Sequence, residues 1–271
     1  MAPRDDEVGP VLPKSTTADV VTPQAVLFDA GAFRPAEIMV HAVGACLNVL
    51  ACCAGLVLAG TASGSTDVAL VVPVVVAGAA VGWFSADLMS GVLHWALDTW
   101  FCENVPAVRR IVLIVREHHV YPQQIFKYRW THEFGIMSWF GFMVVAMALA
   151  LVTVLPIGPL ADLALLSAAV VTSLGASFSL ELHKLGHDFA PRRAVRLLQR
   201  LGLVLGPAHH MKHHSGEHDS HYCIVNGWGD CTLGRLGLFR VLEQLIAHSA
   251  KTTPRADDRA WRRAFGRSVR G

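Results

Sequence analysis

Residues 136–155 read IMSWFGFMVVAMALALVTVL, twenty positions without a lysine, arginine, aspartate or glutamate. A helix rises ~1.5 Å per residue, so such a run crosses the ~30 Å hydrocarbon core of a bilayer. Three further stretches, 40–60, 68–84 and 163–180, are equally free of those four residues. Pro73, near the start of the second, is tolerated in a membrane helix. Pro156 and Pro159 mark the turn between the third and fourth. The pattern predicts an all-α, multi-pass membrane protein with four transmembrane helices. Composition agrees: 53% of the 271 residues are hydrophobic and 16% charged, where soluble domains carry about 25% charged residues.

The basic residues set the topology. Residues 1–40 hold three, 85–135 hold five and 181–271 hold fifteen, which accounts for all 23. The short connections near 61–67 and 156–162 hold none. Under the positive-inside rule the N-terminus, the central segment and the C-terminal region all face the cytoplasm. Buried helices of a soluble protein would not sort their charges this way. A formal charge of +2 gives no case for nucleic acid. The proline-rich first 35 residues read as a disordered tail, without the basic start, apolar core and cleavage site of a secretory signal. Residues 36–250 form the membrane domain, and 251–271 a basic C-terminal tail. The six cysteines include no CxxC pair and read as apolar packing residues in a reducing compartment.

Twelve of the 14 histidines fall on the cytoplasmic side; His41 starts the first span and His248 lies near the C-terminus. The twelve therefore form a His-rich helical cap on four spans. His183 and His187, in HKLGH, are four apart and share one helical face if the fourth span continues as a helix. His94 and Asp98, in HWALD, have the same spacing on the helix leaving the second span. His210, His213 and His214 form HMKHH, and His118 with His119 closes REHH. His41, His221 and His248 read as ordinary hydrogen-bonding side chains. Neutral imidazole is a common ligand for zinc, copper and iron. A catalytic zinc or a facial-triad iron takes three protein ligands, so eight to ten clustered imidazoles suit two metals. Spans two to four hold no histidine, which excludes the usual bis-histidine haem pattern of membrane cytochromes.

HWALDTW at 94–100, REHHVYP at 116–122, HKLGH at 183–187 and HHMKHHSGEHDSHYCIVNGW at 209–228 resemble the plasmanylethanolamine desaturase family, the Kua or CarF-like lipid desaturases. A plastid palmitate desaturase and, more distantly, the membrane fatty-acid desaturases share the pattern. The resemblance covers about residues 36–248. It implies a di-iron centre that uses dioxygen to introduce a double bond into a lipid chain, the vinyl-ether bond of plasmalogens. It also implies metal ligands at His94, His118, His119, His183, His187, His210, His213, His214 and His218. Asp98, His94, His183 and His214 are the expected catalytic group. His132-Glu133 leads into Phe134-Gly135-Ile136 rather than the family's polar stretch, and DTWF stands in place of DTWG. His132, His209 and His221 are left unassigned.

An unactivated methylene has no acidic proton, so a metal-held oxidant must remove its hydrogen. Asp98, Glu117, Glu181, Asp188, Glu217 and Asp219 adjoin histidines and are candidates for orienting them, or are simply solvated acids. No haem, flavin or iron-sulfur motif is present, so electrons come from a cytochrome b5-like or ferredoxin-like donor. Arg192, Arg193, Arg196 and Arg200 beside Leu197, Leu198 and Leu201 form a basic amphipathic helix for anionic headgroups or for that donor. A second interfacial helix is expected over 233–248. The phospholipid substrate enters from the bilayer. A di-iron acyl desaturase or hydroxylase, a non-enzymatic metal-binding membrane protein and a zinc hydrolase are the competing classes. Bacterial inner membrane and endoplasmic reticulum are both open.

Overall fold

The fold was obtained as a computed structural model, which describes residues 35–62, 67–101, 109–155, 157–215, 218–251 and 254. All its regular elements are helices: α1 (Pro35–Ala62), α2 (Val68–Thr99), α3 (Arg109–Val120), α4 (Trp130–Val154), α5 (Pro159–Ser177), α6 (Ser179–Gly186), α7 (Arg193–Arg200), α8 (Pro207–Ser215) and α9 (Leu238–Ser249). A 3-10 turn, Pro122–Lys127, joins α3 to α4, and a π turn, Asp230–Gly234, precedes α9. The expected N-terminal tail and all but two residues of the C-terminal tail lie outside the described residues.

Helices α1, α2, α4 and α5 are long and apolar enough to cross a membrane. The Asp67 carboxylate caps α2 by accepting the Ala69 N–H at 2.9 Å. Its 32 residues extend ~48 Å at 1.5 Å per residue, well beyond the ~30 Å hydrocarbon core. The C-terminal turns of α2, with His94 and Asp98, therefore project from the spanning part. Helix α2 packs along α5, α1 against α4, and α5 against both α1 and α4.

Burial of apolar surface gives no drive between helices in lipid, so close packing and interhelical hydrogen bonds hold the bundle. A Cβ at Gly78 would lie 2.7 Å from the Ala164 carbonyl, and one at Gly82 would meet the Ala168 carbonyl. The two glycines therefore let α2 lie directly on α5. Asn48 of α1 donates to Ser177 Oγ at 2.9 Å and accepts from Ser173 Oγ at 2.6 Å. Val145, Leu166 and Val170 are among the buried side chains between the spans, while Val57, Val76, Met147 and Val154 point outward.

Two expectations are corrected. The fourth span does not run on into HKLGH: Phe178 leaves helical geometry at ψ 3° and divides α5 from α6. The preceding Ser177 takes part in a tertiary hydroxyl network with Asn48 and Ser138, information that no periodicity carries. The second amphipathic helix starts at Leu238 rather than 233, because Gly237 holds a left-handed φ of 88° after the π turn. Cys46, Cys52, Cys53, Cys223 and Cys231 are free thiols; Cys102 lies outside the described residues.

Candidate metal centre

Four elements bring their histidines to one end of the bundle. Helix α2 supplies His94 and Asp98, α3 supplies His118 and His119, and α8 supplies His210, His213 and His214. Helix α6 supplies His183, with His187 at its C-terminal cap. Gly186 lets α6 approach α8, since a Cβ there would lie 2.8 Å from Leu205 Cδ2 and 3.1 Å from His210 Cβ.

Their ligand atoms fall into two sets. His118, His183, His187, His210 and His214 form one; His94, Asp98, His119 and His213 form the other. Within each set the atoms lie within 4.8 Å of one another, and every residue is buried. The sets are neighbours, with His213 and His214 ring centroids 5.3 Å apart and those of His94 and His183 5.6 Å apart. Successive helical residues point ~100° apart. The adjacent pairs His118–His119 and His213–His214 therefore straddle the two sets, one member in each.

The donor chemistry fits metal ions. His210 Nε2 lies 2.7 Å from His183 Nε2, 2.8 Å from His187 Nε2 and 3.0 Å from His214 Nε2. A neutral ring nitrogen has one hydrogen or one lone pair, so hydrogen bonding satisfies one of these three contacts. A shared cation satisfies all of them: two nitrogens bound at ~2.1 Å are ~3.0 Å apart at right angles and ~3.4 Å apart in a tetrahedron. In the second set His213 Nε2 and His119 Nε2 are 3.1 Å apart. The Asp98 oxygens stand 3.4 Å from His94, 3.7 Å from His119 and 3.6 Å from His213.

Burial, reinforced by neighbouring imidazoles, holds His118, His119, His183, His210, His213 and His214 well below the usual histidine range. Burial and the nearby His94 push His187 down to about 4. All seven are neutral at pH 7, the form that ligates a metal. Backbone carbonyls orient two rings. His94 Nδ1–H donates to Tyr222 O at 2.9 Å and His213 Nδ1–H to Ser220 O at 2.7 Å. In each case Nε2 is left as the lone pair facing the cluster.

The structure thus gathers eight of the nine expected histidine ligands into two sets. The ninth, His218, stacks on His119 with ring centroids 4.0 Å apart, outside both sets. Asp98 places its oxygens among the ring nitrogens rather than behind them. The other adjoining acids are engaged elsewhere: Glu117 accepts from Tyr128 Oη, Glu181 from Lys184 Nζ and Asp188 from the Ala190 N–H. Asp219 is exposed and Glu217 lies outside the described residues. His209 pairs with Asp230 at 3.0 Å instead of joining the cluster, and His221 packs beside His209. The His132 side chain is not described.

Sequence reasoning missed two features. A cavity of about 330 Å³ is lined by Leu97, Ile111, Ile114, Met137 and Leu180, among others, and reaches His94, His118 and His183. Beside it, Lys184 Nζ sits 2.5 Å from Glu133 and 2.7 Å from Glu181 and donates to the Tyr128 carbonyl. Glu133 and Tyr128 also line the cavity. Lysine and glutamate are seldom this buried unless paired, which was the only signal available for this network.

Four membrane-spanning helices and a buried imidazole-carboxylate cage at the foot of an apolar cavity define an integral membrane metalloprotein. Residues 83–257 match the lipid desaturase domain model, and the chain belongs to that family. Plasmanylethanolamine desaturase of Myxococcus xanthus is 31% identical over 179 residues, covering 66% of this chain and 62% of that protein. Plasmanylethanolamine desaturase 1 of Mus musculus is 31% identical over 204 residues, covering 70% and 71%. Fatty acid desaturase 4-like 1, chloroplastic, of Arabidopsis thaliana is 30% identical over 166 residues, covering 61% and 54%. No solved structure matches the chain.

Proposed function

We propose that this chain is a dioxygen-dependent membrane lipid desaturase with a di-iron centre, acting on the alkyl chain of an ether phospholipid to form a vinyl ether. The observation that carries the reading is the pair of adjacent, nitrogen-rich donor sets at the end of an apolar cavity. The names of the bacterial and mouse relatives favour the ether lipid over an acyl chain. His118, His183, His187, His210 and His214 would hold one ion, and His94, Asp98, His119 and His213 the other, with Asp98, His94, His183 and His214 facing the reaction. His218 would steady His119 by stacking.

When bound, two irons supply the oxidising power that acid-base groups lack. The balance is one dioxygen, two electrons, two protons and two substrate hydrogens giving two waters and one carbon-carbon double bond. The chain's own contribution is positional. Leu97, Ile111, Ile114, Met137 and Leu180 exclude water and hold the tail straight past His94, His118 and His183. The carbonyls of Tyr222 and Ser220 fix the ring orientations of His94 and His213. The N- and C-termini and the histidine cap face the cytoplasm, where a cytochrome b5-like or ferredoxin-like donor delivers the electrons.

Expression in a host lacking plasmalogens tests the reaction: acid-labile vinyl ethers should appear and be absent with His183→Ala. A new double bond in an ester-linked acyl chain instead would assign the acyl desaturase alternative. Metal analysis of purified protein should find about two irons, depleted in both His183→Ala and His214→Ala. A single zinc would overturn the reading.

A further inference from the structure

Asp87 lies two helical turns before His94 on α2, and Asp87, Gly91, His94 and Asp98 fall on one face of that helix. The carboxylate is fully buried and contributes no ligand atom to either metal set. Its Oδ1 accepts the backbone N–H groups of Val225 at 3.0 Å, Asn226 at 2.8 Å and Gly227 at 3.0 Å. Its Oδ2 accepts that of Gly229 at 2.8 Å. One turn on, Ser90 Oγ accepts the Ile224 N–H at 3.1 Å and donates to the Asp87 carbonyl at 2.7 Å. Five backbone N–H groups of one loop therefore end on two side chains of α2.

That loop continues directly from the segment that orients the metal ligands. Tyr222 O takes the Nδ1–H of His94, and Ser220 O takes that of His213. Both rings belong to the same donor set, the one containing Asp98. Gly91 permits the close approach, because a Cβ there would lie 2.5 Å from Cys223 Sγ. In the other set the ring nitrogens of His118, His183, His187, His210 and His214 face one another. An anchor on this loop therefore bears first on the set of His94 and His213, whose rings its carbonyls hold.

We propose that Asp87 is a positioning residue for the metal set of His94, Asp98, His119 and His213, acting through the 224–229 loop and the Tyr222 and Ser220 carbonyls. The proposal rests on the two-ion reading above. Asparagine at position 87 keeps the size and one acceptor but turns an N–H donor towards the Gly229 N–H. That change loosens the loop while leaving every ligand side chain chemically intact.

The test is a titration of metal-free, full-length protein in detergent with cobalt(II) under argon, following the visible bands and the number of equivalents bound. Wild type should take two equivalents. D87N should bind one as wild type does and the other about tenfold or more weakly, the range typical of lost outer-shell partners. H94A should weaken the same equivalent, and D87N should cost less in the H94A background than in wild type, because one of its two routes, the one through Tyr222, ends on His94. Ser90→Ala, which removes one loop bond and no charge, should give a smaller loss on that equivalent. Equal weakening of both equivalents, no weakening of either, or full additivity with H94A would overturn the proposal. Should D87N fail to fold, Ser90→Ala decides: a selective loss supports the proposal and an unchanged titration refutes it. If wild type binds only one equivalent, the two-ion reading falls. In that event weakening of the single equivalent by D87N supports the positioning role, and an unchanged affinity overturns it.

Discussion

Acidifying the metal-free protein should unfold it over a narrow range of pH, and the magnitude follows from the buried imidazoles. Burial lowers His118, His119, His183, His187, His210, His213 and His214 in the folded chain, His187 to about 4. In the unfolded chain each titrates near 6.5. Below that pH the unfolded state binds protons that the folded state refuses, so stability is intact above pH 6.5 and lost as pH falls towards the folded values. For His187 alone the full loss is about 3 kcal/mol by pH 4. At pH 5.5 an imidazole kept neutral by folding costs about 1.4 kcal/mol, and the other rings are lowered in the same direction as His187. A typical domain has about 5–15 kcal/mol in all, so a few such rings make the loss of stability steep. Thermal melts of metal-free protein in detergent, read by tryptophan fluorescence from pH 7.5 to 5.0, should show a steep fall in Tm between pH 6.5 and 5.5. Metal-loaded protein should resist until protons displace the metal. A Tm independent of pH over that interval would refute the reasoning, since it would require the seven rings to be solvated or already charged.

Three further outcomes follow from the packing. His210→Ala removes the nitrogen shared by three contacts and should lower metal content more than His218→Ala, whose ring stacks outside both sets; elemental analysis reads the difference. Lys184→Met leaves Glu133 buried beside Glu181 without its cation and should cost about 3–5 kcal/mol, seen as a lower Tm. Adding Glu133→Gln to Lys184→Met should restore part of that loss, and a double variant as unstable as the sum of the singles would refute the pairing. Gly82→Leu should abolish the α2–α5 contact, because its side chain meets the Ala168 carbonyl; a normally folding variant on size-exclusion chromatography would contradict the close approach.

The amino-acid sequence by itself determined the spans and the stock of donors. Twenty uncharged apolar residues have one stable backbone solution in lipid, because every N–H and C=O must be paired within the segment. The boxes HKLGH, HMKHH, REHH and HWALD were legible because ligand spacing on a helix is a local property. Which histidine falls in which donor set was not legible. It depends on the angle at which α3, α6 and α8 meet the end of α2, and on the break at Phe178, neither of which leaves a period in the chain. The HWALD spacing marked Asp98 beside His94 but not whether its carboxylate stands behind the ring or among the ring nitrogens, where the structure puts it. Asp87 carried no local signal at all, since its partners lie about 140 residues away. The tertiary structure decided these points because a carboxylate's role is set by what desolvates it and what donates to it, and both arrive from distant parts of the chain.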